Sequence, residues 1–257
     1  MIGTTEGAFD AFAALDPDTT ALLFDVDGTL IDIGPSPFEV EVPDILLETL
    51  DRLSALTGGA LALVSGRPIR DLDKLFSPLK LPAVGGHGAE IRLRDGAQVV
   101  RIENLPDDMR RHLIDAATPG SGVEYEDKGY SVALHYRKAP KEAERLRRHI
   151  AMTRAAFPNE LTTLLLGKAM FEVKRPGIDK GTAVRDLMTY APFAGRIPVF
   201  VGDDVTDEAV FAILPALGGK GFAVGRHFEH VSGIFGTPTD MRAALQQLAA
   251  RAGDAAR

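Results

Sequence analysis

The stretch Ala21-Leu22-Leu23-Phe24-Asp25-Val26-Asp27-Gly28-Thr29 decides the fold. A short apolar run, Ala21 to Phe24, leads straight into two acids spaced i, i+2 and then a glycine. Such a run, closed by turn residues, reads as a strand buried on both faces. Strands of that kind belong to parallel α/β sheets, where ligands bind beyond the carboxyl ends. Asp25 and Asp27 would stand at that crevice, and Gly28 would let the chain turn away. Asp and Gly are also ordinary turn residues, so the stretch by itself leaves a solvated strand-end turn open.

The same alternation continues outward. Asp44 to Thr57 carries apolar residues at helical spacing and ends at Gly58-Gly59. Ala60 to Val64 reads as a second buried strand, Pro68 to Phe76 as a helix, and Ala83-Val84 as a short third strand. Far downstream, Lys180 to Tyr190 reads as a helix, Ile197 to Val201 as a strand and Asp204 to Leu214 as a helix. Gly221 to Val224 and Met241 to Arg251 close the pattern as strand and helix. The middle differs. Glu90 to Arg94, Gln98 to Glu103, Glu124 to Glu126, Tyr130 to Arg137, Thr163 to Leu166 and Met170 to Lys174 read as strands of a smaller sheet. Pro106 to Thr118 and Pro140 to Phe157 read as helices over it. The expectation is an α/β core with a parallel sheet, residues 1–88 and 176–257, split by an inserted α+β domain, residues 89–175.

Composition narrows the function classes. The 257 residues hold 29 Lys and Arg against 36 Asp and Glu, a formal charge of −7, with no Cys and no Trp. The acidic balance argues against a nucleic-acid binder. Zero Cys removes disulfides, thiolate metal sites and Cys nucleophiles, and suits a reducing compartment. The first twenty residues carry four acids and no Lys or Arg, the reverse of a targeting segment. No run approaches ~18 uncharged apolar residues, so no membrane span is expected. A cytoplasmic location is the expectation.

Three further loops carry chemistry. Gly202-Asp203-Asp204-Val205-Thr206-Asp207-Glu208 follows the strand ending at Val201. Its carboxylates repel unless a cation or a helix N-terminus compensates. An acidic helix start accounts for some of them; a hard divalent cation such as Mg²⁺ accounts for the others better. Ser65-Gly66-Arg67-Pro68 follows the strand ending at Val64, where a hydroxyl and helix N–H groups form an anion site or a plain cap. Lys180 lies in the first turn of a helix, where the dipole disfavours it; a phosphoryl group with neighbouring carboxylates supplies a reason, and a lone surface lysine is the default otherwise.

In this order the four motifs resemble the haloacid dehalogenase superfamily of phosphohydrolases, and the insert resembles its cap domain of the C2 type. The stretches Ser65-Gly66-Arg67-Pro68, His87-Gly88-Ala89-Glu90, Glu126-Asp127-Lys128-Gly129, His135-Tyr136-Arg137 and Glu172-Val173-Lys174 are similar to those of trehalose-6-phosphate phosphatases. So is the acidic stretch from Gly202 to Glu208. The resemblance covers about residues 21 to 225.

It implies a Mg²⁺-dependent phosphatase that hydrolyses trehalose 6-phosphate through an aspartyl-phosphate. Asp25 would be the nucleophile and Asp27 the acid, then the base. Ser65 and Lys180 would hold phosphate oxygens. Asp25, the Asp27 carbonyl and Asp203 would bind the metal, with Asp204 and Asp207 near it through water or as supports. Glu126, Lys128 and Glu172 would contact sugar hydroxyls, with Arg67 and His87 as further candidates on the core side. A functional link to a separate trehalose-6-phosphate synthase follows, with no nucleic acid and no membrane as partners. The alternatives are another sugar-phosphate phosphatase or a phosphomutase of the same superfamily, or a catalytically silent binding module. Charge is uneven between the parts. The expected cap holds 16 Lys and Arg against 13 Asp and Glu, a net of +3, and the core 13 against 23, a net of −10.

Overall fold

Strands and helices alternate from the start in the computed structural model, which describes residues 5–34, 40–93, 100–167 and 169–255. The first elements are α1 (Thr5–Ala13), β1 (Thr20–Phe24), α2 (Asp44–Leu56), β2 (Leu61–Val64), α3 (Ile69–Leu75), β3 (Ala83–Gly85), β4 (Glu90–Arg92) and β5 (Val100–Arg101). Next come α4 (Asp107–Ile114), β6 (Glu124–Asp127), β7 (Ser131–His135), α5 (Ala143–Ala156), β8 (Thr163–Gly167) and β9 (Met170–Lys174). The last are α6 (Lys180–Leu187), β10 (Ile197–Gly202), α7 (Glu208–Ile213), β11 (Lys220–Val224), β12 (Val231–Phe235) and α8 (Pro238–Ala255). The chain divides into two units, Met1–Val100 with Asp179–Arg257, and Arg101–Ile178.

The first unit is built on a sheet of order β12-β11-β10-β1-β2-β3-β4-β5. Strands β12 through β3 run parallel. β1 lies between β10 and β2, and all three are fully or nearly fully buried except at Ile197. Leu22 and Phe24 face one apolar cluster with α1, α2, α3 and α8; Ala21 and Leu23 face the other with α6 and α7. This two-sided burial is why β1 reads as an unbroken apolar run rather than an alternating one. Burial of Leu22, Leu23 and Phe24 contributes about 1.5–3 kcal/mol each. α2 shows the complementary helical logic: Leu46, Leu50 and Leu53, spaced i, i+4, i+7, are its buried leucines.

Register places the chemistry. Phe24 lies opposite Val201 of β10 and opposite Leu63 of β2. Asp25, Ser65 and Asp203 therefore leave three adjacent strands at the same end of the sheet. The strand order also reverses at β1: β2 and β3 follow on one side, β10 to β12 on the other. That reversal is the topological switch point at which α/β sheets hold ligands.

The second unit is a four-stranded antiparallel sheet, order β6-β7-β9-β8. Met109 and Leu113 of α4 and Leu146 and Ile150 of α5 pack on one face, against Val132, Leu134, Phe171 and Val173. The period-two alternation sends Glu126, Ala133, Glu172 and Leu165 to the other face, where the register aligns them as one cross-strand row.

Three expectations change. β4 and β5 do not join the smaller sheet: a 3₁₀ turn at Gly86–Gly88 reverses the chain after β3, β4 pairs antiparallel with it, Val84 opposite Ile91, and β5 follows β4 at the edge of the larger sheet. Two strands joined by so tight a turn pair with each other, and the second unit therefore begins near residue 101 rather than 89. Of the expected strands, Arg94 and Gln98 to Val99 lie outside the described residues. The helix expected over Asp204 to Leu214 starts as a 3₁₀ turn, Val205–Asp207, before α7. α1 and β12 were not expected as elements.

Candidate active site

Lys180 organises the site. It is the first residue of α6, after the N-cap Asp179, whose carboxylate accepts from Thr182 N at 2.8 Å. Its ammonium is 3% exposed and donates to Asp25 Oδ1 and to Asp207 Oδ1, each at 2.6 Å. Two carboxylates, not the helix, explain why Lys stands where the dipole disfavours it. Burial would depress the Lys180 ammonium, but the Asp25 and Asp207 charges outweigh it and hold the group above its ordinary value.

Asp207 is fully buried and fully engaged. Its Oδ2 accepts from the backbone N–H of Asp203 at 2.9 Å and of Asp204 at 3.0 Å. The Asp204 carboxylate in turn accepts from the Asp207 backbone N–H, and the two bonds form a capping box that fixes the loop after β10. Asp203 thereby faces Asp25. Its Oδ1 accepts from the buried Thr29 hydroxyl at 3.0 Å. A Cβ on Gly28 (φ +85°) would stand 2.3 Å from Asp203 Oδ2, so only glycine leaves room for that carboxylate.

The charges are out of balance. Asp25, Asp203 and Asp207 offer carboxylate oxygens within 4.8 Å of one another. One ammonium faces three carboxylates. Burial pushes the Asp25 carboxyl well above its ordinary value; Lys180 opposes this, and Asp207 and Asp203 add to it. Burial likewise pushes Asp203 up, against hydrogen bonds from Thr29 and Asp25. Hard oxygen donors with excess negative charge fit a divalent cation, whose charge would offset that excess.

The remaining expected residues fall into place as follows. Ser65 is 1% exposed, directly beyond β2, and its Oγ accepts from Arg67 N at 3.1 Å. Asp204 stays outside the carboxylate group. Its side chain is 56% exposed and pairs with Arg226 at 3.3 Å, because the N-cap position points it outward. Glu208 is also exposed at the start of α7, so the acidic run separates into roles and does not converge on one ion. Arg67 grips Asp27 in a two-pronged pair, Nε to Oδ2 at 2.7 Å and Nη2 to Oδ1 at 2.6 Å. The His87 ring packs on Gly66.

In the second unit Lys128 stands between two carboxylates, 3.7 Å from Glu126 Oε2 and 3.5 Å from Glu172 Oε1. Ser131 Oγ donates to Glu172 Oε1 at 2.6 Å. Glu172 is buried and Glu126 half-exposed. The three expected sugar contacts therefore form one cluster.

Arg226 is the residue that the sequence reading missed. Its Nε donates to the Asp203 carbonyl at 2.8 Å, and its guanidinium lies 4.7 Å from the Phe228 ring centre. Nothing in the pattern ties a loop arginine after β11 to a carbonyl 23 residues earlier.

Comparison with known proteins follows the same line. The sequence profile of the family described as Trehalose-phosphatase matches residues 23–251. The trehalose-6-phosphate phosphatase of Escherichia coli K12 is 42% identical over 211 residues, covering 80% of this chain and 77% of that protein. A probable trehalose-phosphate phosphatase of Sinorhizobium fredii is 40% identical over 236 residues, covering 88% and 86%. Among solved structures, a trehalose-6-phosphate phosphatase related protein matches with a TM-score of 0.68 at 24% identity, covering 92% of this chain and all of that one. Among the described residues no helix is long and apolar enough to cross a membrane.

Proposed function

The chain belongs to the trehalose-phosphatase family, and from that premise we propose the part each of its own residues plays in the reaction. The fold is the haloacid dehalogenase type, and the activity is that of a phosphoric monoester hydrolase acting on trehalose 6-phosphate. The observation that carries the assignment is the buried Asp25–Lys180–Asp207 cluster with Asp203 beside it, at the switch point of the sheet.

In the first half-reaction an Asp25 carboxylate oxygen attacks phosphorus and the bond from phosphorus to the sugar oxygen breaks. Asp27 gives its proton to that leaving oxygen. In the second, water attacks the aspartyl-phosphate, Asp27 takes the water's proton, and phosphate leaves with Asp25 restored. Ser65 and Lys180 hold phosphate oxygens, and Lys180 keeps Asp25 in place through Oδ1. Asp25 and Asp203, with the Asp27 carbonyl, would hold Mg²⁺, while Asp207 supports the loop from behind and Asp204 lies further out. Bound there, the ion supplies charge that lets an anionic carboxylate approach an anionic phosphate. The remaining work is positioning, since phosphoryl transfer asks little covalent chemistry of the protein.

Glu126, Lys128 and Glu172 take the sugar hydroxyls. Trehalose offers almost nothing but hydroxyls, and the Lys128 ammonium between two carboxylates presents donors and acceptors together. A functional link to a trehalose-6-phosphate synthase, as the source of the substrate, completes the reading.

Phosphate release from a panel of sugar phosphates, with and without Mg²⁺, tests the assignment. Trehalose 6-phosphate is expected to be turned over at least ~10-fold faster than glucose 6-phosphate, and a chelator to abolish release. Equal rates across the panel would overturn the sugar assignment, and full activity in chelator the metal. Lys128→Ala is expected to lower kcat/KM for trehalose 6-phosphate about 10²-fold (~2.7 kcal/mol) and that for 4-nitrophenyl phosphate less than about threefold. Equal losses on both substrates would place Lys128 in folding or chemistry instead.

A further inference from the structure

The stretch His87-Gly88-Ala89-Glu90 has no part in the chemistry above, yet it is built closely against Ser65-Gly66-Arg67-Pro68. Gly86 N donates to the Arg67 carbonyl at 2.8 Å and His87 N to the Ser65 carbonyl at 3.0 Å. The His87 ring lies where a side chain on Gly66 would be: a Cβ there would stand 2.5 Å from Cε1. To reach that place the His87 backbone takes φ +56°, the left-handed region that a non-glycine residue enters at a cost. Glu90, 7% exposed, accepts from Ile69 N at 2.6 Å. It caps the first turn of α3 from β4, because the N-cap residue Pro68 has no side chain able to do so.

What these contacts hold in place is Arg67. Both its Nε and Nη2 point at Asp27, and its side chain is 13% exposed against 35% for Asp27. A planar fork on a carboxylate fixes orientation as well as distance, which an ammonium does not. We propose, on the reading of Asp27 as acid and base, that Arg67 is a positioning residue for the Asp27 carboxylate, aimed by the Gly85–Glu90 loop, rather than a contact to the sugar. The two-pronged pair fixes both Asp27 oxygens, and with them the direction in which the group can reach the leaving oxygen and then the attacking water. With an aryl phosphate, whose leaving group needs no acid, the step that depends on that aim is the hydrolysis of the aspartyl-phosphate.

The test is the pre-steady-state release of 4-nitrophenolate from 4-nitrophenyl phosphate, whose leaving group needs no acid. Arg67→Ala is expected to release a burst equal to the enzyme concentration, then to turn over about 10²-fold more slowly than the parent, because aspartyl-phosphate formation survives and its hydrolysis does not. Arg67→Lys, which keeps the charge and loses the fork, is expected to show the burst with an intermediate steady rate, and it stands in if the alanine variant does not fold. Unchanged aryl turnover with a loss on trehalose 6-phosphate alone would make Arg67 a sugar contact and overturn the proposal. A slower rate with no burst would make its role structural and overturn it equally. Asp27→Asn is run beside them: a burst there with none in the Arg67 variants rejects this proposal alone, whereas no burst in Asp27→Asn rejects the role of Asp27 itself.

Discussion

Replacing Asp25 by Asn lowers phosphate release from trehalose 6-phosphate by at least about 10⁴-fold, the scale on which removal of a nucleophile acts. The substitution is nearly isosteric. The amide oxygen can still accept from Lys180, and Asp25 lies at the end of a strand buried on both faces, so the fold has little reason to change. What is lost is the carboxylate proposed to attack, which is also one of the three acids in the carboxylate group. Acid quenching of the parent during turnover should leave phosphate covalently bound to the peptide containing Asp25, and the Asn variant should carry none. Turnover within tenfold of the parent, or labelling of the variant, would refute the assignment.

Lys180→Met acts on stability as well as on rate. The ammonium is the partner of two buried carboxylates, and its removal leaves Asp25 and Asp207 without that charge at 2.6 Å. Breaking a buried pair by deleting one partner costs about 3–5 kcal/mol. For a chain of this size that is roughly a 10 °C fall in Tm. Burial already pushes the Asp25 carboxyl upward with Lys180 present; without it the push is unopposed. A carboxyl whose folded pKa is raised stabilises the fold while protonated and loses that contribution as pH rises through the folded pKa. The Tm deficit of Lys180→Met, measured in chelator, should therefore widen from pH 5 to pH 8. Added Mg²⁺ should narrow it, since the ion neutralises the same acids, but should not restore turnover. A Tm within 2 °C of the parent at pH 8 would show that Lys180 is not the balancing charge.

The parallel strands were legible because their burial is two-sided. Thr20–Phe24, Leu61–Val64 and Ile197–Gly202 need apolar residues at every position, and each ends in a polar loop. The sequence also pointed to Asp25, Lys180 and Asp203, since acids after an apolar strand and a lysine at a helix start both ask for a compensating charge. What it could not supply was orientation. The four acids from Asp203 to Glu208 look alike in sequence, but the capping box turns Asp207 inward and Asp204 outward. Arg67 is a generic cation until the fold brings it to Asp27, 40 residues away. β12, at the sheet edge, has two buried residues, one of them Gly233, among partly buried and exposed ones, so its apolar pattern is weak. β4 was placed in the wrong sheet because a three-residue strand carries too little pattern to choose a partner; only the tight turn before it does.

The position of β1 has a consequence for how the chain is made. Its neighbour on one side, Leu61–Val64, leaves the ribosome soon after it, but its neighbour on the other, Ile197–Gly202, follows only after roughly 170 residues. At 5–20 residues per second that delay is roughly 10 to 35 s. During it the strand that carries Asp25 is the rim of a half-built sheet, with an unpaired row of backbone groups and an apolar sequence, the combination most prone to joining another nascent chain. Meanwhile Arg101–Ile178, a continuous segment with its own apolar cluster, can already fold. Synthesis thus completes Arg101–Ile178 before the carboxylate cluster exists, and the last third of the chain both seals the vulnerable rim and delivers Lys180, Asp203 and Asp207 to Asp25.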